Sequence, residues 1–128
     1  MSNLVKVFNE HLLEFIDDVI TIFPDNADLQ TGRTFISGIK KVNPKKIIDI
    51  WKRFVNDLYI TEINEGNMDF FLNKDYKQDL QYVATNDVFN IIEDIKKLLR
   101  NTSQENKDKS LKYVQNLCKL CNLYYSTN

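Results

Sequence analysis

Apolar side chains recur in steps of three and four along most of this chain, and only two prolines interrupt them. That spacing places them on one side of an α-helix. A strand needs strict alternation, and no alternating pair joined by a tight turn is present. The pattern therefore predicts an all-α fold, a bundle of five or six helices. At 128 residues, one domain covering 1–128 is the expectation, with about two-thirds of its unfolded surface buried on folding.

Punctuation sets the helix ends. Leu4, Val5, Phe8, Leu12, Phe15, Ile16, Val19, Ile20 and Phe23 define a first helix, capped by Ser2 or Asn3 and stopped by Pro24. Asp25 is the expected cap of a second, with Asp28 at its positive end. Leu29, Phe35, Ile36, Ile39 and Val42 read as its buried face, while Gly32 and Gly38 weaken it or permit close packing. Asn43-Pro44 restarts the chain as a third helix. Its apolar face reads Ile47, Ile48, Trp51, Phe54, Val55 and Leu58, and it runs on, with a break, to a stop at Gly66. Residues 67–85 are the least periodic and read as a short turn of helix around Met68–Leu72, then loop. A helix from about Asn86 follows. Thr102 or Ser103 caps the last helix, Thr102-x-x-Glu105 fitting a capping box. Leu111, Val114, Leu117, Cys118, Cys121, Tyr124 and Tyr125 form its inner face.

Charge comes in blocks although the net charge is only −1. Residues 1–32 and 54–95 are acidic; 33–53 and 96–128 are basic. The segment Lys40, Lys41, Lys45, Lys46, Lys52, Arg53 spans the Asn43-Pro44 junction and is the candidate nucleic-acid surface. The acidic balance and the three arginines weigh against that use. A complement to acidic blocks, within the chain or on a protein partner, is favoured. Lys45, Lys46, Asp49, Lys52 and Arg53 read as one solvent-facing stripe.

Catalytic readings are weak. Cys118-x-x-Cys121 lies near the C-terminal end of a helix, where the dipole opposes a thiolate. A zinc site needs about four ligands, and the one histidine is His11. His11 has no serine or cysteine beside it in sequence. Glu10, Glu14 and Asp17 share a helical face that reads as solvated rather than metal-binding. The three glycines stand apart and build no phosphate loop. No catalytic residue, metal or cofactor is expected. No apolar run reaches the ~20 residues of a bilayer span, and the first residues lack a signal-peptide cleavage pattern.

Asn 15, Lys 14 and Ile 13 against Ala 2 point to an AT-rich genome. The order and spacing of several landmarks point the same way. FNEHLLEFIDDVITIFPDNADLQT, KKVNPKKIIDIWKRFV, EGNMDFFLNKDY, NDVFNIIEDIKKLL and ENKDKSLKYVQNLCKL follow one another between residues 8 and 120. Together they resemble an uncharacterised family of small helical proteins of nucleocytoplasmic large DNA viruses. The resemblance implies expression in infected cells, in the host cytoplasm, the viral factory or the virion. It transfers no catalytic residue. Asp69, Asp75 and Tyr76 lie in the non-periodic segment and are candidate partner-binding residues. The favoured expectation is a non-enzymatic viral protein that contacts a viral or host protein, or itself as a homo-oligomer. Nucleic-acid binding and host-pathway antagonism by a Bcl-2-like bundle are the alternatives.

Overall fold

The computed structural model describes residues 2–75, 93 and 96–127. Helices α1 (Ser2–Ile22), α2 (Ala27–Val42), α3 (Pro44–Trp51), α4 (Asp57–Glu65), α5 (Met68–Asn73) and α6 (Gln104–Thr127) appear in that order. Residues 96–100 are also helical. The fold is all-α, with no strand among the described residues. The expected helix from Asn86 lies mostly outside them, as does the second half of the expected loop.

Helix α1 is the central element. It packs against α2, α3 and α6. Phe8, Leu12, Ile47, Ile48, Leu117, Cys121 and Tyr124 form the main core, and Tyr59, Ile63 and Cys118 a second cluster, with Trp51 against both. Asn9 is buried in α1 and donates Nδ2 to the Pro44 carbonyl at 3.0 Å, which pins the start of α3 to α1.

The punctuation is mostly where the sequence puts it, but the capping atoms differ. Asn26, not Asp25, caps α2, accepting from the Leu29 N–H at 3.0 Å. Asn43 sits at the N-cap of α3 without a side-chain cap bond, and Pro44 takes the first position. Ser103, not Thr102, caps α6 through the Asn106 N–H at 3.1 Å. Gly66 ends α4 in the left-handed conformation, φ 73°, which glycine adopts without a Cβ clash.

The break in the third helix is a π-turn, Lys52–Asn56, joining α3 to α4 without a loop. It corrects the expected inner face. Asn56, at the end of the turn, and Tyr59 and Ile63 beyond it are buried, while Leu58 is 48% exposed. The Asn56 amide donates to Asn122 Oδ1 at 2.8 Å, so the inward polar group joins the π-turn to α6.

Helix α5 is held by packing and by cations. Asn67 caps it by accepting from the Phe70 N–H at 3.1 Å. Phe70 and Phe71 meet the Tyr59 ring edge-on at about 6 Å. At its far end Arg100 donates to the Leu72 carbonyl and Lys96 to the Lys74 carbonyl. Such donors satisfy carbonyls that a helix end leaves open.

Candidate interaction surface at the α2–α3 corner

Helix α2 is apolar on two sides. Leu29, Ile36 and Ile39 turn toward the core. Phe35 and Val42, expected inside, point outward and are 64% and 88% exposed. Adjacent residues diverge by about 100° on a helix, so Phe35 and Ile36 cannot share a face. With Thr34, Gly38, Ile39, Asn43 and Lys46, the outward pair lines a shallow trough of about 340 Å³. Phe35, Gly38 and Val42 are spaced i, i+3, i+7, the spacing of a seam between two packed helices.

Gly38 lies between the two exposed side chains. A Cβ built there meets nothing within 4 Å. No contact among the described residues requires glycine at this point of the helix. It costs about 1 kcal/mol of helix propensity relative to alanine.

Lys46 lines the trough, and Lys41 and Lys45 are sequence neighbours of its lining residues Val42 and Lys46. Lys41, Lys45 and Lys46 are exposed and Lys40 is half-buried. None of the four has an acidic partner among the described residues. Lys40 and Lys41 stand in the last turn of α2, where the helix dipole favours cations. Lys45 and Lys46 stand in the first turn of α3, which holds no acid. There the dipole disfavours them by about 0.3–1 kcal/mol each. The corner thus combines exposed apolar surface, an unfilled glycine and cations placed against the local field.

The other two basic candidates do not join it. Lys52 pairs with Asp57 and lies over the Tyr125 ring. Arg53 is exposed, its guanidinium 5.3 Å from the Phe54 ring centre. The expected solvent stripe is broken as well. Asp49 is half-buried and accepts from the Tyr125 hydroxyl.

Asp69 is exposed in the first turn of α5, where an acid suits the dipole. Asp75 is exposed beyond that helix, and Tyr76 lies outside the described residues. Asp69 and Asp75 adjoin α5 and do not line the trough.

The polar groups of α1 serve its packing. Tyr113 donates to Asp18 and lies 3.2 Å from Glu14 Oε1; the bond to Asp18, then burial, holds its phenol well above the ordinary range. His11 Nδ1 is 3.9 Å from Glu14 Oε2, and the His11 ring leans on Tyr113. Asp17 takes the Arg33 guanidinium, Nε at 2.5 Å, linking α1 to α2. Glu10, Glu14 and Asp17 therefore do not converge. Among the described residues, no group of three or more His, Cys, Asp or Glu side chains could hold a metal ion.

Cys118 and Cys121 are buried free thiols. Burial raises both, Cys118 against the pull of the Trp51 indole N–H, and Cys121 is pushed up to about 12 with its neighbour thiol adding to the effect. This is the reverse of a reactive cysteine's environment.

The fold is all-α, and Phe35 and Val42 of α2 form an apolar helix seam that faces solvent. Compared with known proteins, the chain matches no family model, no curated protein and no solved structure. Among the described residues, no helix is long and apolar enough to cross a membrane.

Proposed function

We propose that this is a non-enzymatic protein that works by protein–protein contact, and that the α2–α3 corner is its contact surface. The observation that carries the reading is Phe35 and Val42 exposed beside lysines that have no acidic partner among the described residues. Apolar surface rimmed by charge is the usual anatomy of a contact site. The protonated, buried thiols weigh against nucleophilic chemistry at the C-x-x-C pair. The resemblance to the large-DNA-virus family supports an infected cell as the setting, with the protein in the cytoplasm, the viral factory or the virion.

Nucleic-acid binding has less support. Lys52 is paired, and of the four remaining lysines Lys46 lines an apolar trough rather than a continuous phosphate track. Affinity purification with nuclease treatment tests the reading, run in parallel on the wild type and on Phe35→Asp with Val42→Asp. A protein partner held by the wild type, and lost by the variant in reconstitution with that purified partner, is the expected result. A partner set indifferent to the substitutions, or retention that nuclease removes, contradicts it.

A further inference from the structure

We propose that the α2–α3 trough takes one amphipathic α-helix from another protein, its apolar face packed across Gly38 and its flanks acidic. The inference rests on the contact reading above and names the chemistry of the partner.

Three observations select a helix. The outward residues Phe35, Gly38 and Val42 keep the i, i+3, i+7 spacing that meets a second helix along a seam. The open space at Gly38 lets a partner's side chain or backbone come close to the α2 axis between two larger apolar side chains. An extended peptide would want a strand edge to pair with, and none exists among the described residues. The α2 part of the trough runs from Thr34 to Val42, about 14 Å, and can seat two to three turns of a partner.

Charge selects acidic flanks. Lys41, Lys45 and Lys46 are exposed at the junction end of the trough without acidic partners among the described residues. Glutamates beside the partner's apolar stripe would meet them, and a lysine-flanked helix would be repelled. A second copy docked through α2 fits these charges poorly, since that helix offers one acid, Asp28, against Arg33, Lys40 and Lys41.

The test uses the purified full chain and labelled peptides of about 14 residues, long enough to form helix on the surface. One peptide carries leucine at i, i+3, i+4 and i+7 with glutamate flanks. A second has the same leucines with lysine flanks. A third is a scramble of the first, equal in charge. Fluorescence anisotropy gives affinity, and amide shifts locate the site. The glutamate-flanked peptide is expected to bind at α2, more weakly as salt rises. The other two should bind at least about tenfold more weakly. Gly38→Leu and Phe35→Asp should each weaken binding about tenfold or more, with the unfolding midpoint held for Phe35→Asp and held or raised for Gly38→Leu.

Equal binding of the scramble, equal binding of the lysine-flanked peptide, or amide shifts away from α2 overturns the inference. So does duplex DNA binding in the peptide's place, or self-association that Phe35→Asp abolishes. If no peptide binds but Phe35→Asp still releases a purified protein partner, the helix inference fails and the contact reading stands. If the seam substitutions change neither, both fail.

Discussion

Lys45 and Lys46 occupy the first turn of α3, a place where local electrostatics favours acids. Replacing Lys45 with glutamate should therefore stabilise the protein by about 0.3–1 kcal/mol in urea unfolding at low salt. A loss of stability would show that Lys45 has a structural role. The thiols allow an equally direct check. With Cys118 and Cys121 buried and raised, a disulfide reagent at pH 8 should leave both unmodified in the native protein and titrate both in denaturant. Rapid native labelling would contradict the packing. At this scale the sequence was legible where one residue type has one job, as at Gly66. It was ambiguous where neighbours compete for a job, as with Asp25 and Asn26 or Thr102 and Ser103.

The π-turn is the element that sequence reading placed only as a break. Ile47, Trp51, Val55, Tyr59 and Ile63 recur strictly every four residues. Four such steps carry an α-helix about 160° from its starting direction, because each residue turns it by about 100°. One extra residue in a wider turn absorbs most of that drift and keeps the five on one side. The signal was present, but Phe54 and Leu58 offered a competing pattern at the ordinary period. Side-chain truncations decide between the registers. Leu58→Gln should change stability by no more than about 0.5 kcal/mol. Ile63→Ala should cost about 2–5 kcal/mol, since Ile63 is fully buried. The reverse order would put Leu58 in the core and remove the π-turn.

Across the whole molecule, two tyrosines tie the bundle together. Tyr113 joins α6 to the acids of α1, and Tyr125 joins α6 to Asp49 of α3. Both phenols are held above their ordinary range, Tyr113 chiefly by its bond to Asp18 and Tyr125 chiefly by burial. A raised acid favours the protonated native state. Its contribution is complete below the unfolded value near pH 10 and is lost as pH rises through the native values. Urea unfolding between about pH 8 and 11 should show the wild type losing more stability than Tyr113→Phe with Tyr125→Phe. Equal losses would mean the hydroxyls contribute nothing specific.

The all-α architecture was readable from periodicity, but the outward seam of α2 was not. Its apolar residues lie on both sides of one helix, and periodicity marks an apolar face without saying what covers it. The basic segment was visible as a block, yet only the fold separates Lys41, Lys45 and Lys46 from the paired Lys52. The central claim is that Phe35 and Val42 serve a partner and not the core. Urea unfolding of the Phe35→Gln, Val42→Gln double variant tests it most directly. The account predicts an unfolding free energy within about 0.5 kcal/mol of the wild type. A loss of about 2 kcal/mol or more, as for buried side chains, would place the seam inside the fold and contradict it.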